Sequence, residues 1–572
     1  MLRRLTALLL TAAMIFGFGR ITDSPKARAV TFSDTVDSWA KTPIDRWSSY
    51  GVISGYSGTE FRPNASITRA ELFKIIASTM NYSYTPSNPF TDIYAGDWYY
   101  SYILQLVGAG VVKGDAGKVR PNDYITRQEA FAIFARVFRI SADENGIAGF
   151  PDTDDCAYWA RGEVGGLVRS GYVNGQDGFL RPTRNITRAE TVKILDSIIY
   201  GYIASGESTD TDINGVTVIN SPGAELHDMH VNGDLFITQG VGDGEVTLDN
   251  VIVNGDIYIS GGGEHSVLIR GKSRVGTVYV RTPRNWRPVR ISFAEPAEAN
   301  TIAIENDCGA VYIDGIVNRL LLAQDTTAYV NNATVKTVDL NGIGATLNIN
   351  SNGVVNQVRA NAERVRVNVG GTVEHMLIDR SAVGTNVDAL RSGIITEITT
   401  WANDCNVSGL GVLRFVEVEE GRNTRVTVNR AIVEVSLDAG GVKTGDAVKD
   451  WIPPGETGVV GSGDLENALN VKKVLLLDDG SLQVEFSKEV DKTKGQNAAN
   501  YTLSGDAIQY TSTKAAIQPS HAEVNGKLVK LMFSNSPLRQ LKSGETAIVT
   551  VVNVTAKDGS PLGVTSGIYR KP

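Results

Sequence analysis

Two different hydrophobic periods divide this chain of 572 residues. From Trp39 to about Tyr202 apolar side chains recur at helical spacing. Trp39, Ala40, Ile44 and Trp47 fall on one face of a predicted helix from Trp39 to Tyr50, and Gly51 is suited to end it. Val52-Ile53 reads as a short extended piece and Gly55-Tyr56-Ser57-Gly58 as a turn. Leu72, Ile75, Ile76 and Thr79 line one side of a second predicted helix. Phe131, Phe134, Val137 and Phe138 make the matching stripe further on, and its aromatics are expected in a core. Beyond Gly215 the period shortens to two, as in Leu347-Asn348-Ile349-Asn350 and Val365-Arg366-Val367-Asn368-Val369, which predicts short strands.

The helical part is written three times between Phe32 and Glu190. Each copy ends in Thr-Arg-x-Glu, at Thr68 to Glu71, Thr126 to Glu129 and Thr187 to Glu190. Upstream of each lies an Arg-Pro pair (Arg62-Pro63, Arg120-Pro121, Arg181-Pro182) and, further upstream, a tryptophan (Trp39, Trp98, Trp159). The motif arginines are 58 and 61 residues apart, and the tryptophans 59 and 61. Unlike residues keeping one period mean duplicated units.

Thr-x-x-Glu is a capping box, so Thr68 with Glu71, Thr126 with Glu129 and Thr187 with Glu190 are explained as helix starts. The arginine is not. It occupies the first helical position, where the helix dipole disfavours a cation. An anion nearby would resolve the conflict. It could be an internal carboxylate such as Asp34, Asp92 or Asp152, or an external ligand at the free amides of the helix start.

The unit resembles the S-layer homology (SLH) domain. The first copy carries Phe32-Ser33-Asp34, Gly51-Val52-Ile53-Ser54-Gly55-Tyr56, Phe61-Arg62-Pro63-Asn64 and Ile67-Thr68-Arg69-Ala70-Glu71. The second carries Phe90-Thr91-Asp92, Gly110-Val111-Val112, Val119-Arg120-Pro121-Asn122 and Ile125 to Glu129; the third carries Phe150-Pro151-Asp152, Gly171 to Gly175 and Ile186 to Glu190. The resemblance implies a pseudo-threefold helical bundle that holds an exported protein on the bacterial cell wall without a covalent bond. Its implied ligand is an anionic, often pyruvylated, secondary polysaccharide linked to peptidoglycan, bound in grooves between repeats. By resemblance Arg69, Arg127 and Arg188 pair with the ligand's carboxylate. Trp39, Trp98 and Trp159 pack beside the sugar or in the core, and Gly55, Gly114 and Gly175 let the backbone approach it; Asp34, Asp92 and Asp152 complete the implied site. Gln128 where alanine is usual, Lys113-Gly114-Asp115 in place of Ser54-Gly55-Tyr56, and Thr183 after the third Arg-Pro depart from the pattern. They put the equivalence of the grooves in question, the second most of all.

The strand-rich part also repeats. Asn232 to Ile237 returns as Asn254 to Ile259, and Val275 to Val280 follows. Val317, Val335, Val355 and Val373 stand 18 to 20 residues apart, each followed three residues on by Leu320, Val338, Val358 or Met376. Coils of that length predict a parallel β-helix, with tandem β-sandwiches as the alternative. Asp210 to Gly215 matches half a calcium loop, but Ser221 stands where the bidentate glutamate belongs. His227 and His230 would lie on opposite faces of a strand, so they are expected as surface residues, not metal ligands. No pair of carboxylates stands out for glycoside hydrolysis, and no nucleophile or phosphate-binding motif is present. The chain is therefore expected not to be an enzyme and to need no metal or cofactor; a polysaccharide-acting enzyme anchored the same way is the alternative.

After the Pro/Gly-rich stretch from Trp451 to Gly463, alternating strands at Val471 to Leu477, Leu482 to Phe486, Lys527 to Phe533 and Ala547 to Val554 predict an Ig-like β-sandwich. Leu482 to Asp491 with Asn500 to Leu503 resembles the bacterial Ig-like modules of surface proteins.

The expected order is a signal peptide at 1–29, three repeats at about 30–85, 88–145 and 148–205, a linker at 206–215, a β-helix at 216–445, a linker at 446–466 and the sandwich at 467–572. Arg3-Arg4, the apolar run Leu5 to Phe18 and Ala27-Arg28-Ala29 carry the secretion reading. A net charge of −8 gives no footprint for nucleic acid. Cys156, Cys308 and Cys405 lie far apart and are expected as buried thiols. The expected location is the cell wall. The expected partners are its polysaccharide and other surface-layer subunits, with no membrane span in the mature chain.

Overall fold

The computed structural model describes residues 31–206, 208–429, 431–444, 450–460, 469, 471–505, 507, 516–534, 537–542, 545–560, 562 and 566–571. The expected signal peptide lies outside them. The chain divides into two compact units, Met1–Tyr200 and Gly201–Pro572.

In the first unit each repeat supplies two helices: α1 (Lys41–Ser49) and α2 (Arg69–Met80), α3 (Tyr100–Gly108) and α4 (Arg127–Val137), α5 (Tyr158–Arg169) and α6 (Arg188–Ile198). The second helix of each repeat packs on the first helix of the next, α2 on α3, α4 on α5 and α6 on α1, so the three repeats close into a ring. At the last of these joints Arg46 Nη1 and Trp47 Nε1 both donate to Asp196 Oδ1, at 3.0 and 3.2 Å. At the ring's centre three fully buried isoleucines bond head to tail. The N–H of Ile67 donates to the carbonyl of Ile186, Ile186 to Ile125, and Ile125 to Ile67, at 3.0–3.1 Å. Leu72, Ile75, Ile76 and Thr79 of α2 and Phe131, Phe134 and Val137 of α4, with Phe138, are buried as expected. The first helix is shorter than its pattern predicted. It starts at Lys41 and buries Pro43, Ile44 and Trp47, while Trp39 precedes it and is 62 % exposed. Val52 and Ile53 are buried without forming a strand, because both N–H groups turn back to the carbonyl of Trp47.

The second unit begins as a parallel β-solenoid. Val317, Val335, Val355 and Val373 stack in register, as do Leu320, Val338, Val358 and Met376. Their side chains belong to one continuous apolar core running from Ile203 to Val460. The tandem-sandwich alternative fails because these pairings are parallel, and only stacked coils bring successive strands together that way.

The described strands of two expected linkers pair with this body. Ser208–Thr209 pairs in parallel with Glu225 and Leu226, so residues read as a linker open the solenoid. Trp451–Ile452 and Thr457–Val460 run antiparallel to Val442–Lys443 and Ala431–Val435 at its other end. The chain bends at Asp228 (φ 47°), so His227 and His230 sit on separate strands instead of one, facing Glu225 and Asp212. All three cysteines are free and buried.

Beyond the solenoid lie a four-stranded and a three-stranded antiparallel sheet. Val484, Phe486 and Leu531 of one share a core with Leu503, Val549 and Val551 of the other. Among the described residues no helix is long and apolar enough to cross a membrane.

Candidate binding grooves between the repeats

The Arg-Pro pair makes a strained turn, since Arg62, Arg120 and Arg181 have φ of 59°, 52° and 53°. An aspartate of the same repeat holds it. Asp34 accepts the N–H of Phe61 and Arg62 (2.9 and 2.6 Å), Asp92 those of Val119 and Arg120 (3.0 and 2.7 Å), and Asp152 those of Leu180 and Arg181 (2.9 and 2.6 Å). Burial pushes the carboxyls of Asp34 and Asp152 up. The donated backbone N–H groups outweigh it and hold both below the ordinary carboxylate value. These aspartates act on the motif arginines through charge alone; their hydrogen bonds go to the turn backbone.

The partners are the capping glutamates of the next repeat. Each box closes in its own helix: Thr68, Thr126 and Thr187 accept the N–H of Glu71, Glu129 and Glu190, whose Oε2 atoms accept the threonine N–H at 2.8–2.9 Å. The other oxygen faces the neighbour. Arg69 Nη1 lies 3.1 Å from Glu129 Oε1, Arg127 Nη1 3.0 Å from Glu190 Oε1, and Arg188 Nη1 3.8 Å from Glu71 Oε1. Each Nε donates to a turn carbonyl of that same neighbour, Val119, Leu180 or Phe61, at 2.8–3.0 Å. Burial pushes all three guanidinium groups below their ordinary value; Glu129 and Glu190 oppose it for Arg69 and Arg127, Tyr56 and Glu71 for Arg188.

Two grooves open beside these pairs. The first, about 220 Å³, takes Arg188 from the third repeat, Glu71, Tyr56 and Lys74 from the first, and Trp98 from the second. The second, about 330 Å³, takes Arg69 from the first repeat, Lys113, Lys118, Arg120 and Arg136 from the second, and Trp159 from the third. The tryptophans are surface residues, Trp98 55 % and Trp159 52 % exposed. Arg127, the third motif arginine, packs over Phe131 and is 5 % exposed. Gly55, Gly114 and Gly175 are needed internally. A Cβ there would collide with the rings of Phe32, Phe90 and Phe150 and with turn carbonyls.

The grooves differ in how they treat the arginine. In the first, Tyr56 Oη donates to Glu71 Oε1 at 2.5 Å and its ring lies 4.6 Å from the Arg188 guanidinium, whose Nη2 turns to the carbonyl of Ser54 at 2.8 Å. In the second, Asp115 stands in place of that tyrosine and closes a small turn with Lys118 through paired backbone bonds. Gln128, the other departure, accepts the N–H of Ala157 at 2.8 Å, just ahead of α5.

Residues 31–73, 89–131 and 149–192 match the family model described as S-layer homology domain. An amylopullulanase of Thermoanaerobacterium thermosulfurigenes is 37 % identical over 179 residues, covering 30 % of this chain and 9 % of that protein. The exoglucanase XynX of Acetivibrio thermocellus is 33 % identical over 198 residues, covering 33 % and 18 %. The S-layer protein sap of Bacillus anthracis is 25 % identical over 189 residues, covering 32 % and 23 %. The chain thus spans less than a quarter of each of these relatives. The ring of repeats, its three capping boxes and these matches agree: residues 31–192 carry three S-layer homology domains in tandem.

Proposed function

We propose that the grooves hold this protein on the bacterial cell wall by non-covalent binding of an anionic, pyruvylated secondary polysaccharide, with the β-rich unit as a structural or adhesive outer part. The carrying observation is that a motif arginine and an exposed tryptophan, from different repeats, meet in each of two grooves. The cation suits a carboxylate and the indole suits the apolar face of a sugar ring. Two linked weak sites gain affinity through effective concentration. The second groove is the stronger site, because Lys113 and Lys118 add cations there, Arg120 and Arg136 being paired with Glu129 and Glu163, whereas Tyr56 covers Arg188. The paired sheets at the C-terminal end read as an Ig-like spacer.

The test is sedimentation of the full chain with purified cell walls, before and after removal of the secondary polymer. Loss of binding to stripped walls is expected; undiminished binding would refute the ligand assignment.

A second reading, a solenoid that acts on polysaccharide, has one observation behind it. Glu417 and Glu434 pair on adjacent coils, and burial pushes the carboxyl of Glu417 above its ordinary value, Glu419, Glu397 and Glu434 adding to the rise and Thr399 opposing it. Release of reducing ends from a soluble polysaccharide, abolished by Glu417→Gln, would establish it.

A further inference from the structure

A polar groove of about 460 Å³ crosses the solenoid, lined by residues that no function has absorbed, with Glu264 at one end and Asn350 to Asn352 at the other. Arg290, Tyr312 and Asn332 line it between. These residues belong to successive coils, since Val267 pairs with Ile291, Arg290 with Tyr312, Tyr312 with Tyr329, and Val330 with Ile349. At about 4.8 Å per coil the groove runs about 19 Å along the solenoid axis. One wall is the corner Asn350 to Gly353, which is longer than the Gly370-Gly371 corner on the coil after it.

The chemistry of the floor is specific. Asn352 Nδ2 donates to Asn332 Oδ1 at 2.8 Å, and Asn350 donates in the same way to Asn331. Such a ladder steadies the corners, but each bond uses one donor of one amide and one lone pair of the next. Asn332, Asn350 and Asn352 are exposed and Asn331 half-buried, so most of their remaining donors and acceptors are open to a ligand. The Arg290 guanidinium lies over the Tyr312 ring, 5.2 Å from its centroid, and makes a flat platform. Its charge is already met by Asp314 at 2.6 Å. What the groove offers is therefore a planar surface with repeated amides, and a single carboxylate, Glu264, at its end.

We propose that this groove binds a neutral glycan strand lying along the solenoid axis. Vicinal hydroxyls would take the paired donors and acceptors of the asparagine amides, and a pyranose face would rest on the Tyr312–Arg290 platform. A coil-to-coil spacing close to the length of one sugar unit lets several units repeat the same contacts. A peptide fits less well, because the strands beneath already pair on both sides and leave no free edge for it to join.

The experiment is affinity electrophoresis of the full chain through gels containing soluble neutral polysaccharides, namely a β-glucan, starch and arabinoxylan. Retardation in at least one gel is expected. Tyr312→Ala and Asn352→Ala should each weaken it about tenfold while melting stays unchanged, and Arg69→Ala should leave it intact. Asn352 is exposed, so its loss does not threaten folding. No retardation in any gel, or retardation unaffected by the groove substitutions, overturns the proposal. Retardation lost with Arg69→Ala also overturns it, by moving the binding to the repeats without touching the wall-anchoring reading.

Discussion

Arg127 and Glu190 meet at 3.0 Å although 63 residues separate them, and the other oxygen of the same glutamate closes the capping box of α6. One carboxylate thus does a local and a long-range task. The contact recurs from Arg69 to Glu129 and from Arg188 to Glu71, so the helix starts of the three repeats are joined in a cycle. The cation that the helix dipole disfavours is offset by a carboxylate fixed in the adjacent repeat.

Arg127→Ala should destabilise the helical unit by about 1–2 kcal/mol, because the buried carbonyl of Leu180 loses its donor, while Glu190 Oε1 keeps Arg184 as a partner. The control is Arg62→Ala, whose partner Glu60 is exposed, with an expected cost below about 0.5 kcal/mol. Urea unfolding followed by helical circular dichroism measures both.

Wall binding should weaken about tenfold with Arg69→Ala, the loss of one charge-assisted hydrogen bond, and less with Arg188→Ala. Binding isotherms on purified walls, with circular dichroism to confirm folding, compare the two. Equal losses would remove the case for unequal grooves.

Acid should loosen the repeats. The folded-state carboxyls of Asp34 and Asp152 lie below their ordinary value, so their contribution is present above about pH 4 and is lost as pH falls through the folded value. The urea midpoint should be level from neutral pH to about pH 5 and drop below about pH 4. Asp34→Asn should flatten part of that drop.

The three thiols should stay silent in the native protein. Burial pushes the Cys405 thiol up to about 11 and raises those of Cys156 and Cys308. A thiol reagent at mildly alkaline pH should label none of them until denaturant is added, and labelling of Cys405 then reports opening of the solenoid.

Gly371→Ala should cost about 2 kcal/mol by overpacking. A Cβ there would overlap the backbone carbonyls of Asn350 and Gly353 on the preceding coil, and neither can turn aside. Thermal melting of the strand signal tests it.

The parts legible in the sequence are those that one segment decides for itself. Thr68 and Glu71 announce a cap because both ends of that hydrogen-bonded box lie within a single turn. Val335 and Val355 announce a coil because an apolar side chain must return to the core once per circuit. The destination of Arg69 was not legible, since it depends on which repeat comes next around the ring; only the shared period of arginine and following glutamate hinted at it. Trp39 misled because its spacing to Ile44 suits a helix that in fact starts two residues after it. Ser208–Thr209 and Trp451–Ile452 misled because Gly, Ser, Asp and Pro around them make linkers and also make the ends of a solenoid.

The antiparallel strand Thr457–Val460 lies along Ala431–Val435 at the last coil, where another parallel strand would otherwise add. A stack of identical coils is by nature a template that can recruit further β-chains end on end. Here that template is shut by a strand running the wrong way for propagation. Adding a further parallel β-chain at this end would first require that strand to be displaced.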